Sequence, residues 1–108
     1  VRASRSLHAL TDALHSDRAA VIVVTRPERI VVAETERLLA ELQRREVRVA
    51  GVVANAVTPA NDCACDQSMR AFELAELERL GDSVALVERR DEPPVTLAEI
   101  ASLLHFAP

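Results

Sequence analysis

Between Ala19 and Val57 the sequence runs strand, helix, strand, and that order allows very few folds. Ala19-Ala20-Val21-Ile22-Val23-Val24 is a short apolar run rich in β-branched residues, the pattern of a strand buried on both faces. Thr25-Arg26-Pro27-Glu28 supplies a helix start: Thr25 can cap, Pro27 suits a first turn, and Glu28 stands three residues after the cap. A charged helix continues to about Glu46, with Val31, Thr35, Leu38 and Leu42 on one stripe and Leu39 beside it. Glu41 and Arg45 form an i,i+4 pair on its wet side. Val47 to Val57 is the second strand. Two strands joined through a helix pair in parallel with a right-handed crossover. Ligands of such sheets bind beyond the carboxyl ends of the strands, where Thr25 and Asn55 both fall.

The remaining sequence extends this unit on both sides. Leu7, Leu10 and Leu14 recur at helical spacing, so residues 1–16 are expected to enter the domain as an amphipathic helix, Ser4 to His15, ended by Ser16-Asp17-Arg18. Residues 58–67 form a polar loop holding Pro59, Cys63 and Cys65. A helix is predicted over 68–80, with Met69, Phe72, Leu77 and Leu80 buried and Gly81 at its C′ position. Val84 to Val87 is a third strand, and Arg89 to Pro94 a charged, proline-bearing loop. Thr96 and Glu99 repeat the capping-box spacing ahead of the stripe Leu97, Ile100, Ala101 and Leu104, so 68–104 reads α-β-α. The fold class is α/β, a parallel sheet flanked by helices, in one domain or a fragment of one. Three strands leave two unpaired edges, which invite another chain or missing strands.

Composition narrows the function. The net charge of −4, with both signs interspersed, argues against a nucleic-acid partner. Two phenylalanines are the only aromatics, too few for stacking on bases. Gly51 and Gly81 are the only glycines, so no Gly-rich phosphate loop is present. Two cysteines are too few for a disulfide framework. The apolar runs are too short to span a bilayer and no signal peptide opens the chain, so a cytoplasmic location is expected. A start at Val1 rather than Met suggests that an upstream segment is missing.

Several side chains admit two readings. The Asn55 carboxamide offers a donor and an acceptor, suited to the edge of a purine base, and Asn equally forms turns after strands. Cys63 and Cys65 can be metal ligands or free thiols. Thiolates suit zinc, and two from each of two chains complete a closed site, but one intervening residue makes a cramped chelate and strains any disulfide. His8 and His15 share a helix face and are expected to be solvated; His105 is expected to complement the dipole at the last helix end. Arg26, Glu28 and Arg29 read as helix-start charges near the ligand end. Glu88-Arg89-Arg90-Asp91-Glu92 is a mixed charge run at the end of the third strand.

The run Val24-Thr25-Arg26-Pro27-Glu28, then Glu34-Thr35-Glu36-Arg37-Leu38-Leu39, then Gly51-Val52-Val53-Ala54-Asn55 resembles the ArsA-like ATPases, the arsenite-pump and tail-anchored-protein-targeting branch of the deviant Walker P-loop class. The likeness extends over roughly Leu7 to Leu104 and implies the C-terminal portion of a three-layer, P-loop NTPase-like nucleotide-binding domain. It implies that Asn55 contacts the adenine base and that the loop at Pro93 and Pro94 closes over the base from the other side. Cys63 and Cys65 match a C-x-x-C pair, here contracted to C-x-C, which in targeting members shares one zinc across a homodimer. ATP and Mg²⁺ are the implied cofactors of the full-length parent. Its P-loop lysine and water-activating aspartate have no counterpart here, so no catalytic residue is expected in this chain. The anion or hydrophobic client is not specified, and no methionine-rich client helix is present, Met69 being the only methionine. A reading of another class stays open: a stand-alone, non-catalytic interaction module using its sheet edges or cysteine loop.

Overall fold

The computed structural model describes residues 2–102 and 104–106. Their order is α1 (Arg2–Leu14), β1 (Val21–Thr25), α2 (Arg29–Arg44), β2 (Val49–Val57), α3 (Ala64–Leu77), a single 3-10 turn (Glu78–Leu80), β3 (Val84–Glu88), α4 (Leu97–Ser102) and β4 (Leu104–Phe106). One sheet has the strand order β1-β2-β3-β4. The first three strands are parallel, as the strand–helix–strand pattern requires. The fold class is α/β, three parallel strands flanked by helices.

β4 is an addition. It pairs antiparallel with β3, Leu86 opposite His105, and covers an edge expected to be open. The last helix therefore stops at Ser102, and Leu104 and His105 belong to a strand rather than to a helix end. Three residues are too short a run to show an alternating pattern. The side-chain roles expected of Leu104 and His105 lie outside the described residues.

Both crossovers step in the same direction along the sheet, so right-handedness puts α2 and α3 on one face. The core forms there. Val32 of α2 and Leu77 of α3 pack with Ala54 and Val57 of β2 and with Val84 and Leu86 of β3. The helices sit on it with different phases from those the apolar residues suggest. On α2 the buried residues are Val32 and Thr35, while Leu38 is exposed. On α3 the inward stripe is Arg70, Leu74 and Leu77; Met69 and Phe72, expected to be buried, are 53% and 55% exposed. Arg70 hid that stripe, because a charged residue at its head reads as surface until its partners are known.

Among the described residues the opposite face is open at β1, although Ala85 of β3 is buried on it. Ile22 and Val24, expected to be covered on both sides, are 62% and 65% exposed, and no second helical layer is formed there by α2 or α3. α1 projects with Leu7 and Leu10 exposed. Its end is tied by His15, whose Nε2–H donates to the Arg45 carbonyl at 2.9 Å.

Candidate functional site

β2 does not run evenly to its end. Ala54 lies opposite Leu86 and Val57 opposite Glu88, so β2 advances three residues while β3 advances two. The extra residue is a bulge. Ala56 absorbs it with φ of 60°, a left-handed conformation that costs a residue with a Cβ roughly 1–2 kcal/mol. Strict alternation after the buried Ala54 would turn Val57 outward; the bulge resets the phase and Val57 is buried. Asn55, just before Ala56, stays exposed at the carboxyl end of the sheet.

The loop after β3 comes to meet it. A cleft of about 400 Å³ is lined by Asn55 and Ala56 on one side and by Glu88, Pro93 and Pro94 among the residues on the other. Asn55 is thus brought together with Pro93 and Pro94, 38 and 39 residues further along the sequence. Prolines fix φ, which gives the opposing wall a stiff backbone. The mixed charge run does more than coat the surface: Arg89 to Glu92 line this cleft and also a neighbouring polar one of about 550 Å³ with Pro59, Asn61 and Asp66.

Thr25 is not part of this wall. It reaches the same end of the sheet but is 2% exposed and faces α2. Its hydroxyl lies 2.6 Å from that of Thr35, which donates to the Val31 carbonyl at 2.8 Å. Thr35 therefore accepts from Thr25, one proton each. Thr25 caps no helix: α2 begins at Arg29, after Glu28, without a side-chain cap. Arg26 pairs with Glu28 at 2.9 Å. Thr96 does act as a cap, accepting from the Glu99 N–H at 3.1 Å, while the Glu99 carboxylate accepts from Val95 N–H.

The cysteines follow β2 at the start of α3, beside Asn61 and Asp66 of the neighbouring polar cleft. α3 starts earlier than expected, so Cys63 is its N-cap residue and Cys65 lies in its first turn. Both are exposed, unpaired thiols. Asn61 shapes the approach: its side-chain oxygen accepts from the Cys63 N–H at 2.9 Å and its amide donates to Asp66 at 2.7 Å. Among the described residues no group of three or more His, Cys, Asp or Glu side chains converges, so one chain supplies at most half of a four-thiolate site.

Three residues that the sequence does not single out, Thr58, Arg70 and Glu73, join the end of β2 to α3 and, through Glu88, to β3. Thr58, just beyond β2, donates its N–H to Glu73 Oε1 at 2.8 Å and accepts at its carbonyl from Arg70 Nη1 at 2.6 Å. The same Arg70 guanidinium lies 3.7 Å from Glu88 Oε1. An Arg and a Glu three apart on a helix read as a surface pair, and no local signal shows that both reach back to a strand end.

Among the described residues no helix is long and apolar enough to cross a membrane. A family model described as anion-transporting ATPase matches residues 3–85 of the 108, a span that includes Asn55, Cys63, Cys65 and Arg70 and stops short of Pro93. No curated protein matches the chain significantly.

Proposed function

The chain belongs to the anion-transporting ATPase family, and we propose that it is the C-terminal, base-contacting part of such an ATPase. The observation that carries this reading is the convergence of Asn55, Pro93 and Pro94 on one cleft at the carboxyl end of a parallel sheet. That is where open α/β sheets bind nucleotides. The Asn55 carboxamide presents a donor and an acceptor to the adenine edge, and the proline loop closes over the ring. The triphosphate and Mg²⁺ are held by residues outside this segment, because phosphoryl transfer rests on a phosphate cradle and metal ligands that a chain with two distant glycines does not provide. The part played here is to bind and orient ATP through its base.

Cys63 and Cys65 fit the second element of the reading. Two exposed thiols at a helix start suit half of a tetrahedral zinc site, completed by the same pair in a second copy. Zinc there is a structural clasp for a homodimer. The exposed Ile22 and Val24 on the open side of β1 support the further reading that an N-terminal part of the parent ATPase packs there.

The test is Asn55→Ala in the protein as its gene encodes it. Loss of one or two base-edge hydrogen bonds, roughly 0.5–1.5 kcal/mol each, weakens ATP binding about three- to a hundredfold, and GTP binding less. Isothermal titration with both nucleotides, beside a thermal melt, reads it. Unchanged ATP affinity with a lowered melting temperature makes Asn55 a turn residue. It then favours the alternative, an interaction module, which the exposed Met69 and Phe72 on α3 suit.

A further inference from the structure

We infer that Arg70 and Glu73 are positioning residues for Asn55, a role that rests on the base-contact reading above and deepens it. β2 ends at Val57, whose carbonyl still accepts from the Arg89 N–H at 2.8 Å, while Thr58 beyond it is 1% exposed and its own N–H and carbonyl bond to side chains of α3. Buried backbone groups must be paired. Here one turn of α3 pairs both: Glu73 takes the Thr58 N–H and Arg70 the Thr58 carbonyl. Both are charge-assisted bonds, stronger than a neutral pair. The clamp closes on the residue three beyond Asn55, across the bulge at Ala56 whose backbone is held against its preference. A strained bulge persists only when both flanks are fixed. On one side the flank is the ladder of Ala54 with Leu86; on the other Val57 pairs with Glu88, and the clamp at Thr58 secures the chain just beyond that pair.

Arg70 also reaches the facing wall. Its guanidinium lies 3.7 Å from Glu88, a lining residue of the Asn55 cleft, and its side chain is four-fifths buried. One side chain therefore fixes the distance between the two walls that close on a base. α3 begins at the cysteine pair, so the helix that holds the clamp is the helix that a metal at Cys63 and Cys65 would anchor. Arg70 stands five residues after Cys65, about 7.5 Å along a helix.

The decisive experiment has two arms, using Arg70→Gln, Arg70→Lys and Glu73→Gln in the nucleotide-free and nucleotide-bound protein. In the first arm, ¹⁵N spectra without nucleotide follow the Asn55 side-chain amide. Arg70→Gln is expected to shift or broaden it while Val23 in β1 stays in place; Glu73→Gln, which keeps an acceptor oxygen, is expected to perturb it less. An unmoved Asn55 amide in folded Arg70→Gln overturns the inference, whatever the nucleotide does. Should Arg70→Gln fail to fold, Arg70→Lys, which keeps the charge and a donor, carries the same readout. In the second arm, the ratio of ATP to GTP affinity falls about three- to thirtyfold in Arg70→Gln. It falls no further when Asn55→Ala is added, because both changes act through one carboxamide. A purely structural arginine lowers both affinities together and leaves the ratio intact, which overturns the positioning role. If Asn55→Ala alone leaves ATP binding unchanged, the base contact itself is wrong, a result distinct from either failure of the clamp.

Discussion

Thr25 and Thr35 form a buried pair of hydroxyls with unequal prospects. Thr35 donates to Val31 and accepts from Thr25, whereas Thr25 has its other carbonyl contact at 3.4 Å, a weak one. Thr35→Val leaves the Thr25 hydroxyl buried without its acceptor and is expected to cost about 1–3 kcal/mol; Thr25→Val leaves Thr35 still bonded to Val31 and is expected to cost about 0.5–1.5 kcal/mol. The double substitution should cost less than the sum of the two, since Thr35→Val strands the Thr25 hydroxyl and the double change removes that hydroxyl as well. Urea unfolding of the four proteins measures this cycle, and simple additivity would show that the hydroxyls do not depend on each other. The E-T-E-R run thereby acquires a physical content. Glu34 pairs with Arg37 at 2.7 Å, Thr35 ties the helix to β1, and Glu36 pairs with Arg79 at 2.6 Å beyond α3.

α2 ends in an arrangement that favours a residue it does not have. Glu46 N–H bonds to the Gln43 carbonyl and Val47 N–H to the Leu42 carbonyl, the paired bonds of a Schellman stop. That stop places Glu46 at φ of 58°, where glycine is at ease and a glutamate is strained. Glu46→Gly is expected to stabilise the fold by about 0.5–1 kcal/mol, the relief of the left-handed cost less the entropy a glycine loses on folding. A shift of the urea midpoint to lower concentration would contradict it. The elements themselves were legible in the sequence, because strand and helix periods differ and both crossovers are strand–helix–strand. The Glu41–Arg45 pair forms at 2.6 Å as its spacing requires. What stayed hidden was the phase of α2 and α3. On α3 the decision was made by Arg70, whose partners are a backbone carbonyl and a carboxylate on other elements. Asn55 was legible as a polar residue at the carboxyl end of a strand, the prolines as loop residues, and their meeting was implied only by the family likeness, while the bulge beside Asn55 carries no glycine or other local mark. Val57 had to be seen buried before the extra residue could be counted.

The whole molecule is extended, 58 × 32 × 23 Å, with a radius of gyration of 16.8 Å against roughly 13 Å for a compact chain of about 100 residues. Apolar side chains stand exposed on α1, on the bare face of β1, on α3 at Met69 and Phe72, and on α4 at Leu97. Exposed apolar surface of this kind suits contact with other protein. If the cysteine ends of two copies meet, purified protein should carry about half a zinc per chain and sediment as a dimer, and Cys63→Ser should lose both. Metal analysis after chelator-free preparation, with sedimentation of the variant, decides it; an unchanged dimer without zinc leaves the thiols free and the association apolar.

The bulge at Ala56 has a consequence in chain length rather than in side chains. Because β2 uses three residues where β3 uses two, removing Ala56 alone would restore equal counts and leave Val57 on its buried side. The strand would lose its kink and its strained residue together, and the sheet would be shortened by nothing it needs. Asn55 would become an ordinary step of a regular strand. A single-codon deletion is thus expected to be mild for the fold while it redraws the wall of the cleft beside Asn55.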